Sequence, residues 1–202
     1  MKNPLHLHID FISPYGYFAS LRIEALAARQ GRSVQWHAML LGVSVMKVMG
    51  LKPLLDTPLK GPYVARDVLR YAREHGVPLQ RLPHDPVMNP LTCGRALAWV
   101  AQHQPEHAAQ VVHTLYAAYW GQGLDLSDPS SLAALPWSGG VDGLALAQRA
   151  ASDEAAALLR AEVDSALQAG VFGSPTVVVD GELFWGVDKF EQLERWLARG
   201  GW

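Results

Sequence analysis

Three short stretches of this 202-residue sequence place polar side chains at junctions between elements in ways that could support chemistry. The first is Ser13-Pro14, where an alternating apolar run gives way to a helical one. Serine is a favoured helix N-cap, and proline at the first helical position lacks an N–H that would be orphaned anyway. Free N–H groups at a helix start favour an anion, so a thiolate or carboxylate would be at home beside Ser13. The plain alternative is a serine that only caps the helix. The second stretch is Gly173-Ser174-Pro175-Thr176. A proline directly before a β-rich run suits a tight turn of the kind that holds a cis peptide bond. Such a turn would aim the backbone of Ser174 outward, where an extended peptide can add to the edge. A purely structural turn is the alternative. The third is Trp185-Gly186-Val187-Asp188, a further helix start with an acidic residue. It could receive an amine at the Asp188 carboxylate and a carboxylate at the N–H groups, or be an ordinary capped helix. Lys47, Lys52 and Lys60 surround the Gly/Pro-rich stretch 50–61 and could hold substrate carboxylates; solvated lysines are the default.

Other chemistries fit less well. A serine hydrolase needs a base beside the serine, and no G-x-S-x-G is present. His6 and His8 precede Ser13 on a strand-like run whose spacing places neither beside it. His103-Gln104-Pro105-Glu106-His107 lacks the H-E-x-x-H order, and its proline breaks the helix that would align the two rings. Exposed histidines are the expectation for all four. The single cysteine, Cys93, excludes an intramolecular disulfide and any multi-cysteine zinc site. A buried structural thiol is its expected role.

The elements that must position these residues follow from periodicity. Leu5, Leu7, Ile9 and Phe11 alternate with His6, His8 and Asp10, which is strand spacing. A helix then carries Tyr17, Phe18, Leu21, Ala25, Leu26 and Ala28 up to Gly31, and a strand covers about 34–39. From 40 to 169 helices dominate. The clearest has Ala108, Val111, Val112, Leu115, Tyr116 and Tyr119 on one face and ends at Gly121. Stretches 67–72 and 155–167 are helical, and Asp128-Pro129 and Asp142-Gly143 mark starts. The strand of Thr176 to Val179, Asp180-Gly181 and the strand of Glu182 to Trp185 form a hairpin signal. A last helix carries Phe190, Leu193, Trp196 and Leu197, with Asp188 and Glu191 spaced for a capping box. The reading is an α/β fold whose split sheet receives a helical insertion: 1–39 and 170–202 form one discontinuous domain, and 40–169 the inserted helical domain.

Composition sets the outer limits. Half the residues are hydrophobic, 18% are charged and the formal net charge is −2. That is a globular composition with no field to attract nucleic acid or an anionic membrane. No stretch approaches the ~20 apolar residues that span a bilayer. The start, Met1 to His8, reads as a strand and not as a signal segment. A cytoplasmic protein is the expectation.

Together these junctions resemble a known family. Ser13-Pro14-Tyr15-Gly16 stands where thioredoxin-like proteins carry C-P-x-C, with serine and glycine in place of the cysteines, which excludes a disulfide oxidoreductase. The run Asp10 to Tyr17 resembles the opening of 2-hydroxychromene-2-carboxylate isomerases and of the related kappa-class glutathione transferases. So do Pro58-Leu59-Lys60-Gly61-Pro62-Tyr63 with Asp67, Phe172 to Thr176, and Phe184 to Lys189. The resemblance implies a thioredoxin-like fold with an inserted helical domain, a homodimer, glutathione as cofactor and a small aromatic 2-oxo acid as substrate. By position, Ser13 would hydrogen-bond the glutathione sulfur and serve as the catalytic residue. Lys60 would meet the glycine carboxylate, Ser174 and Pro175 the cysteinyl unit, and Gly186, Val187 and Asp188 the γ-glutamyl end. Asp67 would reach the glutathione of the other subunit. Lys47, Asn89, Tyr17 and Trp185 are the substrate candidates, and Leu51 departs from the asparagine of many relatives. The reaction implied is a cis–trans isomerisation through reversible thiolate addition, with Lys47 stabilising the developing enolate. A conjugating transferase and a non-catalytic glutathione-binding module stay open as alternatives.

Overall fold

A computed structural model of the chain describes residues 2–202. Met1, where the N-terminal strand reading begins, lies outside the described residues. Strand β1 (Leu5–Ile9) lies at the centre of the sheet. It pairs in parallel with β2 (Val34–Ala38) and antiparallel with β3 (Thr176–Val179), which pairs antiparallel with β4 (Glu182–Trp185). The order is β2-β1-β3-β4. The hairpin turn is Asp180-Gly181, with φ of 50° and 86°, as a two-residue turn with two left-handed positions requires.

Between β1 and β2 the chain is helical, but not as one helix. Helices α1 (Pro14–Ser20) and α2 (Ile23–Arg29) are separated by a break. Arg22 leaves helical backbone at φ −120°; its guanidinium donates to Tyr71 Oη at 2.8 Å and lies over the Phe190 ring. The apolar spacing runs through the break, so periodicity alone does not reveal it.

The stretch between β2 and β3 holds a π-helical turn (Gly42–Val48), a 3-10 turn (Leu54–Asp56), α3 (Lys60–His75) and α4 (Leu91–His103). After these come α5 (Ala108–Tyr116), α6 (Ser130–Ala133), α7 (Gly143–Ala150) and α8 (Asp153–Gln168). The helix expected to run on to Gly121 widens to π-helical winding over Ala117–Gly121. That places Trp120 Nε1 2.9 Å from the Phe11 carbonyl, tying this helix to the β1–α1 junction. The last helix, α9 (Phe190–Arg199), follows a 3-10 turn at Val187–Lys189. The expected capping box does not form: Lys189 holds the N-cap position without a side-chain bond, and Asp188 pairs with Lys189 at 3.0 Å. The 3-10 turn takes up the residues that the box would need.

One hydrophobic cluster joins the sheet to the helices, with Leu7, Phe11, Val112, Tyr116, Val177 and Phe190 all buried in it. The histidine expectation fails on β1. His8 is buried and stacks on His37 of β2 with centroids 4.7 Å apart, while His6 stacks on the same ring at 5.2 Å. His37 in turn meets Glu162 of α8 at 2.9 Å. A helix covers this side of the sheet, which alternation along one strand cannot reveal.

Candidate active site

Ser13 caps α1, its Oγ accepting from the Gly16 N–H at 3.1 Å. The same hydroxyl donates to the Ser174 carbonyl at 2.9 Å. The two expected junctions therefore meet, and the Ser174–Pro175 peptide bond between them is cis. The Ser174 carbonyl is engaged inward by Ser13, unlike the outward aim expected of it. Ser13 is 4% exposed. Its proton can turn to another acceptor: a charged acceptor entering the site would compete for it on favourable terms, because hydrogen bonds to ions are about twice as strong as neutral ones.

Helix α1 adds less than a long helix would. It spans seven residues, Pro14 has no N–H, and the Ser13 and Gly16 N–H groups are taken by the Asp10 carbonyl and Ser13 Oγ. Of the four donors at a helix start, Tyr15 N–H is left. The hydroxyl carries most of the local preference for an anion.

Gly16 has a steric reason. A Cβ at this position would collide with the Tyr116 hydroxyl and lie 3.0 Å from Ser174 Oγ. Tyr116 of α5 thus fills the space where a second cysteine of a C-P-x-C motif would project. Its phenol donates to the Asp10 carbonyl at 3.0 Å, and burial pushes its acidity well out of reach, so it acts as a neutral donor. Neither Tyr116 nor Asp10 stands out in the sequence. The signal for Asp10 is a charge amid Ile9, Phe11 and Ile12; Tyr116 carries none beyond its place on an apolar face.

The remaining candidates divide. Gly186 joins the site by donating its N–H to the Pro175 carbonyl at 2.9 Å. Its φ of 103° belongs to glycine, and a Cβ there would strike the Asp188 carboxylate. Val187 is buried, whereas Asp188 is exposed and ion-paired to Lys189. Trp185 is 51% exposed, packs edge-on against Phe172 and roofs Gly173. Lys60 opens α3 and is exposed. The residue before it, Leu59, is 91% exposed at φ 67°, in a turn closed by Lys60 N–H to Pro58 O at 2.8 Å. A leucine held there is strained, a state that tends to accompany function. Helix α3 is tied to α1 by Tyr15, whose hydroxyl donates to Asp67 Oδ2 at 2.6 Å, and Arg70 also pairs with Asp67. Partial burial works to raise the Asp67 carboxyl, but the bonds from Tyr15 and Arg70 outweigh it and hold it low. Lys47 is exposed on the π-helical turn, as are Met46 and Val48 and, just after the turn, Met49. Tyr17 is 4% exposed and stacks on Tyr116, within the core. Asn89 caps the approach to α4, its Oδ1 accepting from Leu91 N–H, and its own N–H bonds Ser127; none of these bonds leads to Ser13. Leu51 is 57% exposed. Cys93 is fully buried, and burial pushes its thiol up, so it stays un-ionised.

A family model described as the DSBA-like thioredoxin domain matches residues 5–198. The chain belongs to that family. Within it, the chain is 28% identical over 198 residues to 2-hydroxychromene-2-carboxylate isomerase of Sphingobium xenophagum, covering 98% of this chain and 99% of that protein. It is 28% identical to the enzyme of the same name from Pseudomonas putida, covering 95% of this chain and 93% of that one. A solved 2-hydroxychromene-2-carboxylate isomerase superposes with a TM-score of 0.79 at 26% identity, covering 96% of this chain and 94% of that one. The thioredoxin-like α/β expectation holds. Ser13 and Gly16 are the residues that set this chain apart from a two-cysteine motif in that fold.

Proposed function

We propose that the chain is a glutathione-dependent cis–trans isomerase acting on 2-hydroxychromene-2-carboxylate or a related small aromatic 2-oxo acid. The observation that carries the reading is the Ser13 hydroxyl, buried against the cis-proline loop in a fold shared end to end with proteins named as that isomerase. Bound glutathione would supply a thiolate nucleophile, whose reversible addition to the β-carbon of the ring-opened substrate would make the conjugated double bond single and free to rotate, with nothing consumed. The donor set suits a zwitterionic tripeptide: a hydroxyl for sulfur, backbone at Ser174, an amine at Lys60 and a carboxylate at Asp188.

This chain's own residues then do three things. Ser13 turns its proton from the Ser174 carbonyl to the sulfur and favours the charged form. A free thiol titrates near ~8.5, and a lowering of one to two units corresponds to ~1.4–2.7 kcal/mol, within reach of one charge-assisted hydrogen bond. Gly186 and Asp188 receive the γ-glutamyl end, for which the Asp188–Lys189 pair must open. Lys47 stabilises negative charge developing on the 2-oxo acid. The reading extends to a cytoplasmic homodimer. Support for the dimer is the run of exposed Met46, Val48, Leu51, Leu54, Leu59 and Tyr63, an apolar surface that a second copy would cover.

The test is turnover of 2-hydroxychromene-2-carboxylate with and without glutathione. Turnover that requires glutathione supports the proposal. Activity only against a chloronitrobenzene acceptor would reassign the chain as a conjugating transferase, and glutathione binding with neither activity would make it a binding module.

A further inference from the structure

Asp10, at the end of β1, is 1% exposed and is the point where four parts of the site meet. Its N–H donates to Ser174 Oγ at 2.9 Å, on the cis-proline loop. Its carbonyl accepts from Ser13 N–H at 2.9 Å and from Tyr116 Oη at 3.0 Å. Its carboxylate accepts from Ile12 N–H at Oδ1, 3.2 Å, and from Leu41 N–H at Oδ2, 2.7 Å. The last pair matters most. Ile12 precedes Ser13, and Leu41 caps the π-helical turn that carries Lys47, so one carboxylate bridges the two segments.

That bridge depends on charge. An ionised carboxylate accepts at both oxygens, whereas a protonated one turns an oxygen into a donor facing an N–H. The oxygen that takes the proton becomes a poorer acceptor, so the bond on that side of the bridge weakens. We propose that Asp10 is a positioning residue: its carboxylate, while ionised, pins the Lys47-bearing turn to the Ser13 loop, and proton uptake releases the turn and lowers turnover. The consequence for turnover rests on the isomerase reading; the bridge does not. Burial pushes the Asp10 carboxyl up to about 6, against the two N–H groups that hold it down. The titratable groups that interact with it are Cys93 of α4, Tyr116 of α5 and Tyr119 of the π-helical winding after it, all neutral near pH 7. Among the described residues its carboxylate forms no ion pair, and the groups that hold it down are the two N–H donors. The release therefore falls between about pH 5 and 7.

Amide hydrogen exchange of the protein without ligands tests the bridge. Protection at Leu41 and Ile12, corrected for the intrinsic pH dependence of exchange, should fall as pH drops through about 6. In Asp10→Asn, whose amide accepts at one atom only, it should be low at every pH. The kcat profile should show an acidic limb near the same pH, with KM for glutathione little changed. Asp10→Asn should lose the limb and run about tenfold or more slower at pH 8. Should Asp10→Asn fail to fold, the wild-type exchange profile alone decides. Protection independent of pH in the wild type, or an Asp10→Asn enzyme with wild-type kcat and acidic limb, would overturn the proposal. A protein that turns over no enone at all would sink the isomerase reading while leaving the exchange result to judge the bridge.

Discussion

At the scale of single residues, small groups at close quarters decide what the site can hold. Gly16 is the sharpest case. Adding one methyl would press on the Tyr116 hydroxyl and Ser174 Oγ together. Gly16→Ala should therefore cost about 1–3 kcal/mol in urea unfolding, as overpacked buried sites do. Tyr116→Phe should recover part of that loss in the double variant, because it removes the oxygen in the way; additive losses would contradict this account. Asp10 shows a different balance. Raising a carboxyl to about 6 means that the fold bears its ionisation at a cost on the order of 3 kcal/mol. The native state binds this proton more tightly than the unfolded chain does. Stability from Asp10 is therefore greatest below about pH 4, falls as pH rises to about 6, and is level beyond. A charge kept at such a cost in the bridge between two site segments is better explained by positioning than by stability.

At the scale of elements, legibility in the sequence follows the reach of each signal. Strands β3 and β4 and their turn were readable because period-two alternation and Asp-Gly are local. Ser13 as N-cap was readable for the same reason. The break at Arg22 was not, because the partners that hold its guanidinium, Tyr71 and Phe190, are distant in sequence. Nor was the burial of His8, since a strand does not announce what covers its second face. That burial has a pH consequence. Desolvation, helped by His37 and His6, lowers the His8 pKa to about 3. Its folded value lies below the unfolded value of about 6.5, so stability is fully present above pH 6.5 and lost progressively as pH falls toward 3. The sign is opposite to that of Asp10. His8→Leu should remove this loss, so that the melting temperature of the variant gains on the wild type as pH drops from 7 to 4. Parallel pH profiles for the two proteins would show that His8 bears no such load.

At the scale of the whole molecule, the chain brings residues near 13, 116, 174 and 186 to one place through a sheet whose central strand joins both ends of the sequence. The order of motifs along the chain was enough to anticipate a thioredoxin-like α/β fold. The polar bridge centred on Asp10 was not, because each of its bonds spans segments that a one-dimensional reading treats separately. Helical residues from α4 and α5 and the sheet share one hydrophobic cluster, so the long segment between β2 and β3 packs as part of the site's foundation. The central claim is that a hydroxyl at the head of α1 keeps a bound sulfur ionised. The most direct test is a spectrophotometric titration of glutathione bound to the wild type and to Ser13→Ala, with turnover measured on the same samples. The account predicts a bound thiol about one to two units more acidic than the free one in the wild type, a return toward ~8.5 in Ser13→Ala, and at least about tenfold slower isomerisation. Equal acidity and equal rates in the two proteins would contradict it.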